Sequence, residues 1–77
     1  MEELLLSIAK GLVEQPDSVS VDAEPAEDGR GTVYHLHVAE GDMGRVIGKQ
    51  GKIAKAIRVV MRSAAARSNE KVSVEID

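Results

Sequence analysis

At 77 residues and a net charge of −3 at neutral pH, the chain is expected to form one small domain, and a domain of that size buries only about 60–65% of its unfolded surface. It contains no cysteine, which excludes disulfide staples and cysteine-ligated zinc as supplements to a modest core. The acidic opening Met1-Glu2-Glu3 lacks the basic segment of a signal peptide, and no apolar run approaches the roughly 20 residues of a membrane span, so a soluble, cytoplasmic protein is expected.

Residues 2–14 read as an amphipathic helix. Leu5, Ile8 and Leu12 recur at i, i+3 and i+7, Leu4 and Ala9 widen the stripe, and Pro16 marks the stop. Glu2 and Glu3 suit the positive end of its dipole. Residues 18–24 alternate, with Val19, Val21 and Ala23 on one face and Ser18, Ser20, Asp22 and Glu24 on the other, the pattern of a half-buried strand. Pro25 to Gly31, with Asp28-Gly29 inside, is a turn-rich connection. It leads to a second alternating segment, 32–39, with Tyr34, Leu36 and Val38 facing in and His35 and His37 facing out. The two strands are expected to pair as an antiparallel hairpin.

Glu40-Gly41-Asp42 breaks the second strand, and Asp42 is placed to cap a short helix at about 43–47. A longer helix follows from about Lys52, with Ile53, Ile57, Val60, Met61 and Ala64 as its expected core stripe and Lys55, Arg58 and Arg62 on another face. Ser68-Asn69 ends it, and Val72, Val74 and Ile76 alternate with Ser73 and Glu75 as a last strand. The order is therefore α-β-β-α-α-β. Three amphipathic strands need one cover, so the expected class is α+β, a three-stranded sheet covered on one face by three helices.

The charge is sorted along the chain. Residues 1–42 hold ten acids against Lys10 and Arg30. Residues 43–69 hold seven bases (Arg45, Lys49, Lys52, Lys55, Arg58, Arg62 and Arg67) and no acid. That basic stretch inside an acidic protein points to an anionic partner. At its centre Gly48-Lys49-Gln50-Gly51 joins the short and long helices with almost no slack. Gly48 permits the positive φ that ends a helix. Gly51 opens the next helix, whose free N–H groups point into the loop. Two residues without side chains admit a phosphodiester backbone, and Arg45, Lys49 and Lys52 ring the approach with charge.

The stretch Val46-Ile47-Gly48-Lys49-Gln50-Gly51, continuing through Lys52 to Ile57, resembles the G-x-x-G core of KH domains, whose loop clamps a short run of single-stranded nucleotides. The opening EELLLSIAKGLVEQPD and the run GRVIGKQGKIAKAIR are similar to the small stand-alone bacterial RNA-binding proteins of the KhpA family. The resemblance covers residues 1–77. It implies a type II KH fold in which the strand before the loop and the last strand run parallel, making the sheet mixed. It also implies a protein that is not an enzyme, needs no cofactor, and binds single-stranded RNA with little sequence specificity, in post-transcriptional regulation or as an RNA chaperone. On that reading Gly48 and Gly51 admit the RNA backbone, and Arg45, Lys49 and Lys52 neutralise phosphates. Lys55 and Arg58 extend the track, Gln50 offers hydrogen bonds, and Val46, Ile47 and Ile57 floor a groove for bases. One departure is visible: Ala54 stands where many KH domains carry isoleucine, which puts base preference rather than the fold in question.

Other readings fail on spacing or composition. Gly44-Arg45-Val46-Ile47-Gly48-Lys49 has three residues between glycines where a phosphate-binding P-loop has four, and Gln50 stands where a magnesium-binding serine or threonine belongs. His35 and His37 share a strand face, but no third metal ligand is evident. No nucleophile–base–acid arrangement accompanies the basic loop. Tyr34 is the only aromatic residue, which rules out platforms of stacked rings. The rival from a different class is a protein-interaction module: Ala64-Ala65-Ala66 offers a small-residue surface for a second helix. The resemblance implies a homodimer, a heterodimer with a larger KH-containing protein of the KhpB type, or both.

Overall fold

A computed structural model describes residues 1–76. Helix α1 (Glu2–Leu12) is followed by a 3-10 turn at Pro16–Ser18, strand β1 (Ser20–Pro25) and strand β2 (Thr32–His37). A second 3-10 turn (Glu40–Asp42) leads into α2 (Met43–Ile47), and a third (Lys49–Gly51) joins α2 to α3 (Lys52–Arg67); β3 (Val72–Ile76) follows. The sheet order is β1-β2-β3, with β1 antiparallel to β2 and β2 parallel to β3. The α-β-β-α-α-β order and the mixed sheet agree with the type II KH fold.

Strand alternation decides which side of the sheet is covered. The register sets Val21 opposite Leu36 and Leu36 opposite Ile76, then Ala23 opposite Tyr34 and Tyr34 opposite Val74. Leu36, Val72 and Val74 on that face are buried together with Leu5 and Ala9 of α1 and Ile57, Met61 and Ala65 of α3. The opposite face carries Asp22, Glu24, His35, His37 and Glu75. There His35 Nε2 lies 2.7 Å from Glu24 Oε1, and His37 Nε2 lies 3.0 Å from Asp22 Oδ2. The two histidines thus sit among carboxylates on the polar face.

The core stripe of α3 agrees with the expected one at Ile57 and Met61 and departs from it at the other positions. Ala54, Ile57, Met61 and Ala65 are buried, whereas Val60 is 45% exposed and Ile53 only partly covered. The helix carries more apolar residues than one face can hold, so the sequence admits two stripes. Packing of Ile57, Met61 and the small Ala65 with the strand residues Leu36, Val72 and Val74 selects between them. The alanine run divides accordingly: Ala65 is fully buried and Ala66 exposed.

The remaining differences lie at element ends. Helix α1 stops at Leu12, two residues early, because Val13 is extended (φ −101°, ψ 161°). Pro16–Ser18 forms a tight turn, so β1 begins at Ser20 and not at 18. Ala23, expected to face inward, is exposed on an edge strand. Helix α3 ends as expected at Ser68-Asn69. Asn69 takes a positive φ of 58°, and the Glu70 N–H donates to the Ala65 carbonyl at 2.8 Å, closing the helix in a Schellman arrangement.

Candidate nucleic-acid interface

Helix α2 has five residues, too few to persist without tertiary support. Its inner residue, Val46, is fully buried. At its C-terminal end the Gly48 N–H donates to the Gly44 carbonyl at 2.9 Å. Gly48 has φ 76° and ψ 173°, a combination open almost only to glycine. A Cβ at this position would lie 2.6 Å from Ile53 Cγ1 and 2.9 Å from the Ile53 nitrogen, so Gly48 lets the loop fold back against the first turn of α3. Gly51 (φ 75°) has nothing within 4 Å of where its Cβ would be. The two glycines therefore differ: Gly48 closes the loop onto the protein, and Gly51 leaves a bare surface toward solvent.

Between them Lys49 and Gln50 are exposed, and Gln50 itself has a positive φ of 59°. Lys49, Lys52 and Lys55 are all exposed and form no ion pair among the described residues. Their charge is uncompensated locally, since no carboxylate occurs from 43 to 69.

Arg45 is placed otherwise than expected. Its guanidinium pairs with the Glu14 carboxylate, and its Nε lies 3.5 Å from Asp42 Oδ1, so it turns toward the end of α1 and away from the loop. Asp42 does not cap α2 through its side chain either. The carboxylate is 2% exposed and accepts from the backbone N–H groups of Glu14 (3.1 Å) and Gln15 (3.0 Å). Those two amides follow the early end of α1, and Asp42 supplies the acceptor they lack.

The expected aliphatic floor is also corrected. Val46 and Ile57 belong to the core, at 0% and 3% exposure, and of the three only Ile47, at 37%, reaches solvent. Beside the edge strand β3, the flank of α3 is polar. Arg58 and Arg62, with Ser73, Val74 and Glu75, line a trough of about 340 Å³ at the outer edge of β3. Arg58 Nε donates to the Val74 carbonyl at 3.2 Å, and Arg62 Nε to the Arg58 carbonyl at 3.4 Å. Arg62 was legible as a member of the basic stripe with Lys55 and Arg58, but only the structure sets it in the trough. On its other side α3 forms an apolar groove of about 430 Å³ with α1, lined by Leu4, Ile8, Leu12, Ile53, Ala56 and Val60 among others.

No group of three or more histidine, cysteine or carboxylate side chains among the described residues is placed to hold a metal ion. No described helix is long and apolar enough to cross a membrane.

Residues 2–76 match the family model described as KhpA/KhpB, KH domain. The chain is 51% identical over 76 residues to the RNA-binding protein KhpA of Clostridium acetobutylicum, covering 99% of each chain. It is 47% identical to the RNA-binding protein KhpA of Listeria monocytogenes, covering 99% of this chain and 97% of the relative. Among solved structures it resembles Era of Aquifex aeolicus, with a TM-score of 0.64 at 24% identity. That likeness covers 97% of this chain and 28% of Era, and it speaks to the fold alone. The chain belongs to the KhpA/KhpB KH-domain family, and the relatives named here are RNA-binding proteins.

Proposed function

We propose that this protein binds single-stranded RNA through the Gly48-Lys49-Gln50-Gly51 loop, with the strand continuing along the trough between α3 and β3. The observation that carries this reading is the set of unpaired lysines, Lys49, Lys52 and Lys55, around the bare surface at Gly51. Phosphates bring the negative charge that these lysines have no partner for. Arg58 and Arg62 extend the same field along the trough. Naming of the relatives as RNA-binding proteins supports the same conclusion. No aromatic ring is available for stacking and most contacts are to phosphate, so the binding has little sequence specificity. Such a protein acts in the cytoplasm on many transcripts, in post-transcriptional regulation or as an RNA chaperone.

Replacing Lys49 and Gln50 together with aspartate tests the site. Binding of a U-rich oligonucleotide should be lost while far-UV circular dichroism stays unchanged; normal binding by the folded double variant overturns the loop as the site. For the wild-type protein, three or four phosphate contacts give a slope of about −2 to −3 in log K against log salt, or about a 20- to 50-fold loss between 50 and 200 mM. A slope near zero would exclude a phosphate clamp.

A second reading, self-association or pairing with a larger KH protein, is favoured by the exposure of Val59 (56%) and Val60 (45%) beside the α1–α3 groove. This surface lies on the side of α3 away from Arg58 and Arg62, so a partner seated on it leaves the trough open. Two linked clamps would also raise the modest affinity of one. Val60→Glu should turn a dimer into a monomer in analytical ultracentrifugation; a wild-type protein that stays monomeric at high micromolar concentration counts against the homodimer.

A further inference from the structure

We propose that Asp42, which touches neither the loop nor any surface open to RNA, is the positioning residue that holds the RNA-binding helix α2 in place. The proposal rests on the loop being the RNA site and adds what sets its geometry. Asp42 is the buried charged residue among those described. Both carboxylate oxygens are engaged with backbone from a distant part of the chain: Oδ1 accepts from the Glu14 N–H at 3.1 Å and Oδ2 from the Gln15 N–H at 3.0 Å. Arg45, one turn further along α2, lies 3.5 Å from Oδ1 through Nε and pairs outward with Glu14. The same short stretch after α1 is therefore gripped twice, once by its amides and once by the Glu14 side chain.

The grip bears on the loop because α2 is short and, apart from the buried Val46, is held at its two ends. Asp42 is its first flanking residue, Gly48 its last, and only five residues lie between them. At the far end the Gly48 backbone runs so close to Ile53 that a Cβ there would lie 2.6 Å from Ile53 Cγ1, which sets that end against α3. At the near end Asp42 fixes it to α1. Release of the near end lets α2 pivot about Gly48, and the Gly48 N–H bond to Gly44 is then the first to open. A loop that must be ordered when RNA arrives binds more weakly, because ordering is charged against the affinity. Number and type of phosphate contacts stay the same.

The test uses Asp42→Asn, which keeps shape and one acceptor but sets an NH2 group against a backbone donor, and Asp42→Ala. Three measurements are made well below the melting temperature: circular dichroism, amide hydrogen exchange, and affinity for a U-rich oligonucleotide across a salt series. In Asp42→Asn the Gly48 amide should exchange about tenfold faster relative to amides of α3 and β2, which keep their protection. Affinity should fall about tenfold with the wild-type salt slope retained. Unchanged exchange at Gly48, or equal loss of protection throughout the domain, overturns the proposal and leaves Asp42 a residue of general stability. If the wild-type protein binds no RNA, the reading of the loop falls, and the exchange pattern still decides whether Asp42 holds α2. If Asp42→Ala fails to fold, the asparagine variant carries the measurement alone.

Discussion

The guanidinium of Arg58 donates from Nε to the backbone carbonyl of Val74, 3.2 Å away, and so ties α3 to the outer edge of β3. The parallel partner β2 occupies the other side of that strand. Arg58 thereby occupies an acceptor on an exposed strand edge, where an unpaired ladder invites aggregation. Arg58 also lines the trough.

Arg58→Ala should therefore have two separable effects. Loss of the hydrogen bond should lower stability by about 0.5–1.5 kcal/mol, read by chemical denaturation. Loss of the cation should make the salt slope of RNA binding shallower by about 0.7, with all sequences weakened alike. A changed sequence preference with an unchanged slope would assign Arg58 to base recognition.

The loop glycines should respond unequally to alanine. At Gly48 a methyl group meets Ile53 at 2.6 Å on a backbone reserved almost entirely for glycine, so Gly48→Ala should cost about 2–5 kcal/mol. At Gly51 the space is open and only the positive φ is penalised, so Gly51→Ala should cost about 1–2 kcal/mol. Urea denaturation of the two variants checks the order. Because Gly51 faces solvent, its variant should lose more RNA affinity than its stability alone explains.

Glu14 holds the Arg45 guanidinium, so on the proposed site it should compete with a phosphate for it. Glu14→Gln removes the charge that holds the guanidinium and leaves Asp42 in place. Arg45 then becomes available to a phosphate, so the salt slope should steepen by about 0.7 and affinity at low salt should rise about two- to fivefold. An unchanged slope would show that Arg45 stays with Asp42 in the complex.

Tyr34 should make the fold alkali-sensitive. Burial pushes its phenol above the ordinary value of 10, and the carboxylates of Glu70 and Glu2 add to the shift. The folded state thus holds the proton more tightly than the unfolded chain. The resulting stabilisation is complete below pH 10 and is lost as pH climbs from there through the raised value. Tyrosinate absorbance reports this residue alone, as the chain has one tyrosine. Denaturation of the wild type against Tyr34→Phe across that range isolates its share from that of the lysines.

The fold was legible because its signals are local and repetitive: strand alternation around Val21, Leu36 and Val74, breakers at Pro16 and Glu40-Gly41, and the G-x-x-G loop between two helices. The phase of α3 was legible only in part: Ile57 and Met61 were expected in the core and are buried, but Ala54 and Ala65 complete the stripe in place of Ile53, Val60 and Ala64. Val46 and Ile57 also read as groove floor, and both are buried. Lys49, Lys52 and Lys55 were placed correctly at the surface because nothing in the sequence near them can pair with them. Arg45 was misjudged because its partner, Glu14, is 31 residues away. The role of Asp42 was hidden similarly: its position before a helix suggests a local cap, and only the tertiary structure reveals the amides of Glu14 and Gln15.

Parallel pairing of β2 with β3 requires residues 32–36 to wait for residues 72–76, with both helices of the crossover between them. During synthesis the hairpin and the loop emerge first, but the sheet lacks its third strand and Leu36 its Ile76 neighbour. The wall of the trough that Ser73, Val74 and Glu75 provide is made last. A nascent chain therefore displays its basic helix before it owns the cleft, and strand closure of this long-range kind is slow. The trough is therefore complete only once β3 has paired with β2.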